Sequence, residues 1–163
     1  MEEPTLTAVI EIPGGSRNKY ELDPGTGQIF LDRMLFTATR YPADYGFIEG
    51  TLGGDGDALD ALVFVGEPTF PGCRIEVRAV GMFVMRDEKG MDEKILCVPL
   101  RDPAWSHVQQ LSDLLPTLLA EIEHFFSVYK DLEDHETETD GFREREEALA
   151  TIEEARRRAS SGT

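Results

Sequence analysis

The sequence predicts a mainly β fold with α-helices at its C-terminal end (α+β), a closed or partly closed β-barrel followed by two helices. Three observations carry this reading. Short apolar runs bounded by Gly, Pro and Asp turns recur from residue 6 to about residue 100, as barrels and sandwiches require. Helical patterns are scarce before residue 103. After it, apolar residues recur at helical spacing. With 163 residues, 40% of them hydrophobic, the chain suits one domain with a proper core and is too short for two comfortable ones.

Leu6-Thr-Ala-Val-Ile-Glu-Ile12 reads as the first strand, ended by Pro13-Gly14-Gly15. Arg17-Asn-Lys-Tyr-Glu-Leu22 alternates, with Lys19 and Glu21 on one face and Tyr20 and Leu22 on the other. A turn at Asp23-Pro-Gly-Thr-Gly27 returns into Gln28–Phe36 and makes a hairpin. Ala61–Val65 is the next strand. Arg74–Met85 is long for one strand, and Gly81 marks a bulge or barrel bend within it. Lys94–Leu100 follows the turn at Asp87–Asp92.

The first helix, expected over about 106–132, shows its stripe from Pro116 onward: Leu118, Ile122, Phe125, Tyr129 and Leu132. The second is expected over about 142–159, capped by Asp140. Its thin apolar face of Leu149, Ile152 and alanines predicts loose packing or fraying.

The chemically loaded stretch is Tyr41–Val63. It places Asp55, Asp57 and Asp60 within six residues, loosened by Gly53, Gly54 and Gly56, directly before an apolar strand. Acids crowded at a core boundary repel one another and lose hydration, so a cation belongs among them. Oxygen-only ligands select magnesium, manganese or calcium. On an extended chain Asp55 and Asp57 point the same way, with Cα atoms roughly 6–7 Å apart. That span suits paired metals about 3.5–4 Å apart. An EF-hand fails the count, because from Asp55 the required glycine and glutamate positions hold Asp60 and Gly66. The competing reading is a polar surface turn.

Asp87 and Asp92 flank a second turn at Gly90, and two acidic loops at strand ends can meet at one barrel mouth. Lys19, Arg33, Lys94 and Lys130, with Tyr41, Tyr45 and Tyr129, lie in or beside ordered elements. An acidic metal nest ringed by such cations and hydroxyls is what a phosphate ester or anhydride needs. His107, His124 and His135 lie outside both acidic loops, which argues against imidazole-ligated zinc. No Ser-His-Asp set, P-loop or dinucleotide fingerprint competes.

The formal charge of −16 argues against nucleic acid or an anionic membrane as partner. Met1-Glu-Glu-Pro-Thr5 has no signal-peptide pattern and no window approaches a membrane span, so a cytoplasmic protein is expected. Cys73 and Cys97 form no disulfide framework and read as buried reduced thiols.

These residues carry a family resemblance. Glu11-Ile-Pro13, Lys19-Tyr-Glu21, Asp32-Arg33, Tyr41-Pro42 with Asp44-Tyr-Gly46, Asp55-Gly-Asp-Ala-Leu-Asp60, Asp87…Asp92-Glu-Lys94 and His124-Phe-Phe…Tyr129-Lys-Asp-Leu132 run in unbroken order over roughly 6–133. The chain resembles a soluble inorganic pyrophosphatase of the first, magnesium-dependent family, in its bacterial form. The resemblance implies a five-stranded OB-like barrel flanked by two C-terminal helices. It implies one domain over 1–163, with the barrel at about 6–100 and a variable acidic C-terminal end.

By the same resemblance Asp55, Asp60 and Asp92 correspond to ligands of the tightest metal, Asp60 also reaching the second. Asp87 and Asp92 correspond to ligands of metals arriving with substrate, Glu21 to a further metal contact, and Glu11 to a less direct active-site acid grouped with them. Asp57 corresponds to the carboxylate that, with two metals, deprotonates the attacking water. Lys19, Arg33, Tyr129 and Lys130 correspond to phosphate-binding groups. Tyr45 and Lys94 correspond to secondary phosphate contacts, Tyr45 standing with Asp57 in the catalytic set, and Tyr41 lines the site. The implied cofactor is Mg2+, several per site, with Mn2+ as substitute and Ca2+ inhibitory. The implied assembly is a homohexamer. The rival readings are a small oligonucleotide-binding barrel, a calcium-binding structural module, and metal-dependent hydrolysis of nucleotides.

Overall fold

The computed structural model describes residues 5–133 and 136–162. The strands are β1 (Leu6–Ile12), β2 (Asn18–Leu22), β3 (Ile29–Met34), β4 (Asp44–Ile48), β5 (Asp60–Val63), β6 (Arg74–Asp87), β7 (Gly90–Pro99) and β8 (Glu138–Arg143). The helices are α1 (Pro116–Val128) and α2 (Arg145–Ser161). The main sheet runs β1-β4-β5-β7-β6-β8, and β1 also pairs with β6. That extra pairing closes a five-stranded ring, as expected for an OB-like barrel, with β8 added on the outside of β6. Among the described residues only β5 and β7 run parallel; β2 and β3 form a separate hairpin.

The two faces of the ring are covered by different helices. Leu62, Phe83 and Leu96 pack with Ile122, Phe125 and Phe126 of α1. Ala61, Val84 and Ile95 pack with Ala148, Ile152 and Ala155 of α2. Alternation along β5 and β7 produces this division, since successive side chains leave opposite faces of a strand. The register of β6 against β7 shifts between Ala79 and Gly81, the bulge expected at Gly81.

Several expectations are corrected. Asp44–Ile48 is a strand where none was expected from the sequence. Asp44 and Gly46 break its apolar pattern for reasons of packing. The Asp44 carboxylate is fully buried and accepts from Gly14 N (2.8 Å), Thr69 N (3.0 Å) and Thr69 Oγ1 (2.5 Å). A Cβ on Gly46 would run into the Val9 carbonyl of β1.

The first helix begins at Pro116, where its apolar stripe starts, and not at about residue 106; short 3-10 turns at Pro103–Trp105 and Leu111–Asp113 precede it. Arg78 holds this connection through the carbonyls of Trp105 (3.2 Å) and Val108 (2.9 Å). α1 stops at Val128, so Leu132 is exposed rather than part of the stripe. Asp140 lies in β8 and caps nothing; the N-cap of α2 is Glu144. Nor does α2 fray. Leu52 N donates to Ala155 O (3.0 Å), and Arg158 Nη1 donates to Leu52 O (2.7 Å). Small alanines let the helix approach the sheet closely, which a thin apolar face conceals in sequence. Cys97 is a buried free thiol and Cys73 a half-buried one. Phe125 and Phe126 are core residues, and Trp105 stacks on Phe64. His135 and Met1–Pro4 lie outside the described residues.

Candidate active site

Strands β4, β5 and β7 run side by side where the acidic stretch enters the barrel. Asp60 opens β5 opposite Lys94, and Tyr45 lies opposite Leu62. Strand pleating therefore turns Tyr45, Asp60, Asp92 and Lys94 to the same face, the one under α1.

Lys94 is the centre of this group, with only 1% of its side chain exposed. Its ammonium donates to Tyr45 Oη (2.6 Å), Asp60 Oδ2 (2.9 Å) and Asp92 Oδ2 (3.0 Å). Tyr45 Oη in turn donates to Asp60 Oδ2 (2.6 Å), and the Phe126 ring lies 4.8 Å from Nζ. Burial would favour a neutral amine; Asp60 and Asp92 overcome it and hold Lys94 protonated well above the usual range. The aspartates differ from each other. The protein around Asp60 raises its carboxyl more than Lys94 lowers it, although 29% of the side chain reaches solvent. Asp92 is also pushed up by burial, but Lys94 brings it below the ordinary carboxylate range. Burial, with the nearby carboxylates adding to it, keeps the Tyr45 phenol protonated.

Aromatic rings line the next layer. Tyr41 stands 5.2 Å from the Tyr45 ring and 4.8 Å from Phe125, and Tyr129 lies 5.2 Å from Phe125. Tyr129 caps the C-terminal end of α1, and Lys130 Nζ lies over its ring at 5.3 Å.

The β2–β3 hairpin supplies a second wall. Lys19 and Arg33 face each other in register. Lys19 Nζ bonds Glu21 (2.7 Å) and reaches Asp32 (3.5 Å), while Arg33 Nη1 bonds Asp32 (2.6 Å). Glu11, at the end of β1, accepts from Leu22 N (2.8 Å). Burial raises its carboxyl, and the charges of Asp60 and Glu21 add to that, so hairpin and barrel share one field.

Asp55 and Asp57 stand exposed in the loop before β5. Asp55 Oδ1 accepts from Asp57 N (3.0 Å), and Gly56 adopts φ 91°, a conformation open to glycine. Buried Thr51 ties the loop's feet, donating to Ile48 O (2.6 Å) and accepting from Leu59 N (3.0 Å). Asp87, two residues beyond the Asp92 partner Met85, accepts from Lys89 N (2.8 Å) at the hairpin tip.

Among the described residues no three carboxylate, imidazole or thiol groups form a finished metal cage. The donor chemistry nevertheless fits a hard divalent cation. The available groups are oxygens only, and the Asp60 carboxyl remains raised beside an ammonium, so it is still short of positive charge.

Comparison with known proteins decides the family. The family model described as inorganic pyrophosphatase matches residues 8–160, a span that includes every residue from Glu11 to Lys130. The chain belongs to the inorganic pyrophosphatase family. It is 62% identical to the inorganic pyrophosphatase of Streptomyces coelicolor over 76% of each chain. It is 53% identical to that of Methanosarcina mazei, over 92% of this chain and 89% of the relative. The solved inorganic pyrophosphatase of Thermus thermophilus superposes with a TM-score of 0.92 at 44% identity, covering 94% of this chain and 90% of that one. That of Helicobacter pylori gives 0.94 at 41%, covering 98% of each.

Within this pyrophosphatase the structure gathers Tyr41, Tyr45, Asp60, Asp92, Lys94, Tyr129 and Lys130 at the α1 face, with Glu11 beside the hairpin that carries Lys19, Glu21 and Arg33. Asp55, Asp57 and Asp87 stay at loop tips. Sequence reasoning gave no role to Asp32 or Glu133, the carboxylates that hold Arg33, or to Phe126 under Lys94. Asp32 had adjacency as a signal. Glu133, at a distance of 100 residues from Arg33, had none.

Proposed function

We propose that this inorganic diphosphatase hydrolyses pyrophosphate to two orthophosphates by in-line attack of water, with Mg2+ as cofactor and Asp57 as general base. The observation that carries the reading is the Asp60–Lys94–Asp92 cluster beside a wall of basic side chains, in a chain of the pyrophosphatase family. Ions held among Asp55, Asp60, Asp87, Asp92, Glu21 and Glu11 would lower the pKa of a water and screen phosphate charge. Asp57, exposed on its glycine loop, accepts the proton of the attacking water. Arg33, Tyr129 and Lys130 hold the pyrophosphate, and Lys19 meets the charge on the departing phosphate. Tyr45 presents a neutral phenol. Lys94 has its three protons committed to Tyr45, Asp60 and Asp92, so it fixes those acceptors and supports phosphate from behind them.

We further assign the chain one domain over 1–163, a cytoplasmic location and a homohexameric assembly. No helix among the described residues is long and apolar enough to cross a membrane. Phe30 (55%), Leu31 (57%) and Phe36 (51%) are unusually exposed for a lone chain. Light scattering should give about six times 18.2 kDa; a monomer mass would remove the assembly. Substrate identity is tested by orthophosphate release from pyrophosphate and from a nucleoside triphosphate, both with magnesium. Pyrophosphate should be turned over far faster. Equal or faster release from the triphosphate would favour the nucleotide-hydrolase reading.

A further inference from the structure

Arg33 sits on the β2–β3 hairpin, and Glu133 on the turn after α1, just beyond Tyr129 and Lys130. Glu133 is placed by that turn, its N–H donating to Lys130 O (2.9 Å). Its carboxylate faces one edge of the Arg33 guanidinium, with Oε1 2.6 Å from Nε and Oε2 3.4 Å from Nη2. The shorter contact is an ion pair lying off the N–H direction, since the buried Nε has no hydrogen-bond partner. Asp32 takes Nη1 at 2.6 Å. The side chain of Glu133 is 13% exposed and that of Arg33 32%. This is therefore a sheltered contact, unlike a surface pair worth little.

We propose that Glu133 is a positioning residue, which orients the Arg33 guanidinium and ties the two walls that carry the phosphate-binding groups. One wall is the hairpin with Lys19 and Arg33; the other is the end of α1 with Tyr129 and Lys130. A free arginine is flexible, and holding its planar fork in place reduces what is lost on binding. The contact leaves the fork usable. Each of Nη1 and Nη2 carries two protons, and among the described residues each meets one acceptor, so one N–H of each remains for a phosphate. The role of Glu133 rests on the proposed role of Arg33 in holding pyrophosphate.

The test is a double-mutant cycle of Glu133→Ala and Arg33→Ala, repeated with Glu133→Gln because it preserves side-chain size. It is read in kcat/KM for pyrophosphate and in the Kd of imidodiphosphate, a non-hydrolysable analogue. Folding is checked by thermal unfolding. Loss of Glu133 should lower kcat/KM and weaken analogue binding about tenfold when Arg33 is present, mainly through KM, and change little when Arg33 is absent. Glu133→Gln should give a smaller loss in the same direction.

Equal losses in both backgrounds would make Glu133 merely structural and overturn the proposal. Tighter binding on removing Glu133 would make it a competitor of substrate and overturn it equally. If the wild-type chain binds the analogue with this coupling yet releases no orthophosphate, the positioning role stands and the pyrophosphate reading falls. If it neither binds nor turns over, both fall.

Discussion

An ammonium with 1% of its side chain exposed persists at Lys94 because two aspartates and a phenol take its three protons. Removing one partner of such a group leaves the other charges stranded. Lys94→Met should therefore destabilise the fold by about 3 kcal/mol, measured by denaturant unfolding in EDTA. Unchanged stability would mean that Asp60 and Asp92 do not depend on it. At this scale the sequence was half legible. Acids and bases of the right kinds could be picked out because chemistry is a local property. The contacts among them could not, since Lys94 reaches Tyr45 across 49 residues and Asp60 across 34. Glu133 was illegible for the same reason, and it lies beside an acidic tail in which no single glutamate stands out.

β1, an apolar run closed by Pro13-Gly14-Gly15, and the β2–β3 hairpin around its Asp23–Gly27 turn could be read directly, and so could the bulge at Gly81. Elements shaped by a partner could not. β4 carries a buried staple at Asp44 and a close approach at Gly46; β8 is half exposed, Gly-containing and acidic, and forms on the edge of β6. Gly46→Ala would drive a methyl into the Val9 carbonyl, which is backbone and cannot rotate away. A loss of at least about 2 kcal/mol is expected, seen as a lower denaturation midpoint, and a neutral result would contradict the β1–β4 packing. α2 makes the complementary point. Ile152 is 1% exposed against the sheet, so Ile152→Ala should cost about 2–4 kcal/mol. A value near zero would restore the frayed helix that the thin apolar face suggested.

For the molecule as a whole, the five-stranded ring brings together acids spread from Glu11 to Asp92 without a helix to carry them. The formal charge of −16 then has a local use, because acids in one cleft repel a free anion until a cation is present. Barrel and helices were legible as a class, because turn spacing and apolar periodicity survive in any sequence. Which strands close the ring, β1 with β6, was not, because pairing between distant strands leaves no local mark. Metal-dependent hydrolysis with Asp57 as base is decided by orthophosphate release from pyrophosphate by wild type and Asp57→Asn. Each is assayed with magnesium, with excess EDTA, and with calcium in place of magnesium. Release should be rapid with magnesium, stop in EDTA and in calcium, and fall at least about 100-fold in a folded Asp57→Asn protein. Release that persists in EDTA, or near wild-type turnover by Asp57→Asn, would contradict it.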